Sequence, residues 1–158
     1  MTEGFHYTAC GLDYVYLQNG YRVHETKHGK GVAISNADGL HDAIARAVIE
    51  YLPRLRGQEV RFLRSRLRLS QDGLAKVLRT RRGSVARWEG EPNHPIPGTA
   101  DAALRMFYAL KADGHALAER IVDLLTEIDE IEHKIAVAKE AVAFRETAGE
   151  WQTERMAA

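Results

Sequence analysis

The chain has 158 residues, 45% of them hydrophobic, so it suits one domain or two small ones with a packed core and is not a disordered polymer. No apolar run approaches a membrane span, the start MTEGFHYTAC lacks the basic-then-apolar pattern of an export signal, and one cysteine, Cys10, excludes an internal disulfide; the expected compartment is the cytoplasm. The 22 basic and 22 acidic residues cancel overall but not locally. Residues 54–90 hold eleven basic against three acidic side chains, a net +8, and residues 113–155 hold five basic against eleven acidic, a net −6. So dense a basic block is either a footprint for phosphate contacts or a solvated charged face, and charge alone does not choose between them.

In chain order, residues 5–34 read as strands. Tyr14-Val15-Tyr16-Leu17 and Tyr21-Arg22-Val23-His24-Glu25-Thr26 are β-branched and aromatic runs, and Asn19-Gly20 between them is a favoured hairpin turn. Gly29-Lys30-Gly31 precedes a third run, Val32-Ala33-Ile34. The expectation is a three- or four-stranded antiparallel sheet with a small core of Tyr7, Val15, Leu17, Val23, Val32 and Ile34. A helix from Asp38 or Gly39 to Leu52 follows. Leu40, Ile44, Val48 and Leu52 repeat every four residues, Ala47 and Tyr51 widen the stripe, and Pro53 ends it. The next helix covers about 58–67 with Val60, Leu63 and Leu67 inward. Beyond the loop of Pro92, Pro95 and Pro97, a further helix begins at Gly98 and carries Ala103, Leu104, Phe107 and Leu110.

Between these two helices lies Leu69-Ser-Gln-Asp-Gly-Leu-Ala-Lys-Val-Leu-Arg-Thr-Arg-Arg-Gly-Ser-Val-Ala-Arg-Trp-Glu89. Ser70 is a favourable N-cap for a helix to Leu78, with Leu74, Ala75 and Leu78 inward. A turn at Arg79-Thr80 leads to a second helix over 81–88, where Val85 and Trp88 are inward and Arg82, Ser84 and Arg87 outward. The pattern Leu69-Ser70-Gln71-x-x-Leu74-Ala75, with Val85 and Arg87-Trp88-Glu89 closing it, resembles the Cro/repressor (XRE) helix-turn-helix family over about residues 57–110. That resemblance implies a five-helix DNA-binding domain whose second helix enters the major groove of double-stranded DNA. Mapped onto this chain, Arg81, Arg82, Ser84 and Arg87 would read bases, and Ser70, Gln71 and Arg79 would hold phosphates. The chain departs from the family at the turn, where Arg79 stands in place of glycine, and at the second helix cap, where Arg81 replaces Ser or Thr.

Upstream, Tyr7-x-x-x-Gly11-Leu12-Asp13-x-Val15-Tyr16-Leu17-x-Asn19-Gly20 and Gly39-Leu40-His41-x-Ala43-Ile44 look like the MqsA-type antitoxin and regulator family. The resemblance implies an N-terminal zinc-binding domain that meets a protein toxin. Here Thr26-Lys27-His28-Gly29 stands in place of a Cys-x-x-Cys pair. Cys10, His6, His24, His28 and His41 have no paired spacing, so no metal and no cofactor are expected. No phosphate loop, nucleophile–base spacing or acid pair is present, and no enzymatic activity is expected.

Residues 115–145 read as one long helix. Leu117, Ile121, Leu124, Ile128, Ile131, Ile135, Ala138 and Val142 alternate at spacings of four and three, a heptad seam with Ile121, Leu124, Ile128, Ile131 and Ile135 as its centre. The seam either forms a homodimer or packs on its own chain. A parallel pair would oppose Glu127 to Glu132 and Lys134 to Lys139, which favours an antiparallel one. The residues after Thr147 read as a frayed tail. The expectation is an α+β protein of three parts: 1–53, a small N-terminal antiparallel sheet plus helix; 54–112, the helix-turn-helix domain; and 113–158, the long C-terminal helix and tail. Its expected function is that of a dimeric repressor on a pseudo-palindromic operator. An antitoxin that neutralises a toxin and controls its own operon remains the alternative.

Overall fold

The computed structural model describes residues 4–112 and 142–154, and the fold is α+β, with five helices and six strands among the described residues. The chain divides into two units, Met1–Ile44 with Lys139–Ala158, and Ala45–Ala138.

In the first unit, β1 (Phe5–His6), β2 (Val15–Leu17), β5 (Val142–Thr147) and β6 (Glu150–Glu154) form one sheet in the order β1-β2-β5-β6. β1–β2 and β5–β6 are antiparallel, whereas β2 and β5 run parallel with Val15 beside Val142 and Leu17 beside Phe144. β3 (Tyr21–Thr26) and β4 (Gly29–Ile34) pair antiparallel as a separate two-stranded ribbon. The N-terminal strands are thus antiparallel in pairs, as expected, but they do not make one sheet. The Asn19-Gly20 turn does not join paired strands. Asn19 instead bonds through its side chain to both the amide (2.8 Å) and the carbonyl (3.1 Å) of Glu146, and Gly20, at φ +77°, leaves room for the Trp151 ring, which a Cβ would meet at 2.6 Å.

The expected helix over 115–145 does not extend through Val142–Arg145, and the expected frayed tail is, as far as Glu154, the second half of a hairpin. Ala148 and Gly149, at φ +52° and +83°, turn the chain as a two-residue hairpin requires, and β-branched and aromatic residues flank them. Ala143, Phe144 and Trp151 are buried with Tyr7, Leu12, Val15, Leu17, Leu40 and Ile44, so this hairpin supplies part of the core assigned from sequence to Val23 and Val32. Those two valines face each other across the β3–β4 ribbon and are 51% and 39% exposed. Residues 113–141, which carry the seam from Leu117 to Ala138, lie outside the described residues.

α1 (Ala37–Tyr51) buries Leu40, Ile44, Ala45, Ala47, Val48 and Ile49 and leaves Tyr51 exposed. Four further helices follow: α2 (Gly57–Arg66), α3 (Gln71–Val77), α4 (Arg82–Gly90) and α5 (Gly98–Ala112). The buried face of α5 is Asp101, Leu104, Arg105, Tyr108 and Ala109; Ala103 and Leu110, expected inward, are exposed. The reason is an ion pair. Arg105, with no exposed surface, pairs with Asp101 and donates to the carbonyls of Ile49 (2.8 Å) and Leu52 (2.6 Å) at the end of α1. Asp101 also accepts from the Leu55 amide at 2.7 Å. One buried pair thereby satisfies backbone groups that a helix end and the following loop leave open.

Candidate nucleic-acid interface

The core of the second unit positions α3 and α4. Val60, Phe62 and Leu63 of α2, Leu74 and Ala75 of α3, and Val85 and Trp88 of α4 are buried. Ala75, expected inward, is 2% exposed. Gly57 at the start of α2 lies against the end of α4, where a Cβ would overlap the Trp88 carbonyl oxygen. The loop after α4 then covers the start of α2. Pro92 and His94 accept from the amides of Gln58 (3.1 Å) and Gly57 (3.3 Å), and Ile96, which is buried, donates its amide to Leu55 at 3.0 Å.

Each helix boundary has a local cause. Glu59 accepts from the Arg56 amide at 2.7 Å and pairs with its guanidinium, closing the start of α2. Ser70 caps α3, its Oγ accepting from the Gly73 amide at 2.9 Å. α2 and α3 end alike. The amide of Leu69 bonds to the Arg64 carbonyl and that of Thr80 to the Ala75 carbonyl, with Arg68 (φ +56°) and Arg79 (φ +57°) left-handed just before them. This is the paired-bond ending that glycine ordinarily supplies. Arg79 therefore takes, as arginine, the left-handed position that glycine ordinarily fills at such a helix end. Arg81 takes the cap position of α4 in extended conformation and provides no side-chain cap.

An interaction absent from the sequence reading ties the three helices together. The Arg64 guanidinium meets the Glu89 carboxylate with two bonds, of 2.5 and 3.0 Å, and donates a third, of 3.0 Å, to the Leu69 carbonyl. Gln71 Nε2 donates to the same carboxylate at 3.1 Å. Burial pushes Glu89 up, but the hydrogen bonds from Arg64 and Gln71 outweigh it and hold its carboxyl below the usual range. The bond to Glu89 raises Arg64 further, so the pair is charged at neutral pH. Gln71, expected to hold phosphate, thus commits its amide nitrogen to Glu89.

The outer face of α4 carries Arg82, Gly83, Ala86 and Arg87, all exposed, while Ser84 is half-buried. Gly83 and Ala86 keep the surface between the arginines low. Arg79 and Arg81 are exposed beside this face in sequence. Among the described residues, the side chains of Arg68, Arg79, Arg81, Arg82 and Arg87 make no hydrogen bond or ion pair, in contrast with Arg56, Arg64 and Arg105.

The metal-ligating residue types of the first unit do not converge. Cys10 Sγ donates to the Tyr7 carbonyl at 3.6 Å, His6 bonds to the Asp13 carbonyl at 2.8 Å and stacks on Tyr16, and His41 bonds to Tyr7 Oη at 3.0 Å. His24 and His28 are on the exposed ribbon. Among the described residues no group of three or more His, Cys, Asp or Glu could hold an ion. These residues do not fit the zinc site that the family resemblance implies. Burial pushes the Cys10 thiol up, which disfavours the reactive thiolate.

No helix of the described residues is long and apolar enough to cross a membrane. Compared with known families, curated proteins and solved structures, the chain finds no match in any of the three.

Proposed function

We propose that the chain is a sequence-specific DNA-binding regulator of transcription, a dimeric repressor that reads a pseudo-palindromic operator through α4. The observation that carries this reading is the contrast among the arginines of the basic block. Arg56 and Arg64 are spent on the fold, whereas Arg79, Arg81, Arg82 and Arg87, together at the turn and on α4, have no partner among the described residues. Arginines at the start and on the outer face of such a helix suit guanine O6 and N7, and the low surface at Gly83 and Ala86 suits close approach to base edges. Ser70 and the start of α3 suit a phosphate. Dimerisation is assigned to the seam of Ile121, Leu124, Ile128, Ile131 and Ile135.

Selection of bound duplexes from a random pool, with the mass of the complex measured, tests this. The expected result is an inverted repeat with half-sites about 10 base pairs apart, bound by two chains. A pool that is not enriched overturns it. The second reading, an antitoxin that binds a protein toxin, draws on the β3–β4 ribbon, where Val23 and Val32 form an exposed apolar pair. Purification of the chain with a stoichiometric small partner from its own cells tests that reading.

A further inference from the structure

Four residues other than glycine have left-handed backbone: Asn36, Arg68, Arg79 and Ala148, among the described residues. Two have a local reason. Asn36 uses its side chain to accept from the Gly39 amide at the start of α1, and asparagine tolerates this conformation. Ala148 is half of a two-residue hairpin turn. At Arg68 the paired bonds that end α2 require the left-handed conformation, but not a residue other than glycine. The Arg68 side chain is exposed and makes no hydrogen bond or ion pair among the described residues, and the bonds that end α2 are backbone bonds that glycine would make equally well. A residue with a Cβ is held in this conformation at a cost that glycine escapes. A Cβ, with the strain it brings, at a helix end that glycine would close equally well points to a function for the side chain.

Arg68 and Arg79 occupy matching positions. Each follows the end of one helix and stands two residues before the cap of the next, Arg68 before Ser70 and Arg79 before Arg81. They bracket α3, whose seven residues span about 10 Å. We propose that Arg68 is a phosphate-contacting residue of the DNA interface, matched to Arg79 at the other end of α3, and that the left-handed strain is retained for its charge. The inference rests on the DNA-binding reading above and adds a contact to it. Arg68 selects no base. It adds sequence-independent affinity and fixes α3 on the backbone.

The test uses the full chain with Arg68→Gly, Arg68→Ala, Arg68→Lys and the double substitution Arg82→Ala/Arg87→Ala, measured on the duplex that the wild type enriches. Arg68→Gly and Arg68→Ala should both weaken binding about threefold or more, alike on matched and mismatched duplexes, and reduce the steepness of the salt dependence by about one unit. Arg68→Lys should keep the slope. In thermal unfolding without DNA, Arg68→Gly should rise by about 2 °C because the strain is relieved, and Arg68→Ala should not. Wild-type affinity and slope for both neutral variants, with binding lost in the double variant, overturns the role of Arg68 and leaves α4 as the recognition helix. A melting temperature for Arg68→Gly no higher than that of Arg68→Ala also overturns it, since the strain is then absent. A wild-type chain that enriches no duplex overturns both readings.

Discussion

A guanidinium without exposed surface must place its donors on protein acceptors, and Arg105 does so on Asp101 and on two carbonyls of the α1 end. Replacing it with methionine keeps volume but strands the Asp101 carboxylate, and the expected loss is about 3–5 kcal/mol by chemical denaturation. Sequence periodicity placed Leu104 inward correctly but missed Asp101 and Arg105, because a charged pair at a spacing of four looks the same on a solvated face as in a core. The Arg64–Glu89 pair was equally illegible: its partners are 25 residues apart, and Glu89 read only as the end of a motif. Its pH dependence follows from sign. Glu89 has a folded pKa below its unfolded one, so its contribution is present above the ordinary carboxylate range and is lost as pH falls through the lower folded value. Glu89→Gln should lower stability at pH 7 by about 1–3 kcal/mol and flatten that part of the acid unfolding profile, as followed by denaturant midpoints between pH 2 and 7.

At the scale of elements, local signals were legible and distant ones were not. The Ser70 cap, the Leu40, Ile44 and Val48 stripe of α1 and the Val85–Trp88 face of α4 are each specified within one or two turns, and the structure places them accordingly. The parallel pairing of β2 with β5 sets Val15 beside Val142, 127 residues away, and nothing near either strand announces its partner. The Ala148-Gly149 turn was the one local clue to that hairpin, and the heptad spacing running into Val142 masked it. Deleting residues 142–158 should remove the acceptor of the Gln18 amide, the Phe144 carbonyl, and expose Val15 and Leu17; hydrogen exchange at Gln18 should accelerate greatly, while amides of α3 keep their protection. Gly57→Ala forces a Cβ onto the Trp88 carbonyl and should cost about 2–3 kcal/mol by displacing α2 from α4, again read by denaturation.

For the whole molecule, a formal charge of zero conceals a basic middle and an acidic C-terminal third, and the basic middle coincides with the helices whose arginines are exposed. The proposed role follows from that coincidence. In that proposed role, charge would supply affinity for any duplex, and the side chains on α4 would supply discrimination. The most direct measurement compares wild type with Arg82→Ala/Arg87→Ala on the enriched duplex and on a scrambled one, by titration at two salt concentrations. Two lost base contacts of about 1–3 kcal/mol each should weaken binding to the enriched duplex by about a hundredfold and bring it close to that for the scrambled one. Equal affinity of the two proteins for the enriched duplex, at both salt concentrations, contradicts α4 as the recognition helix.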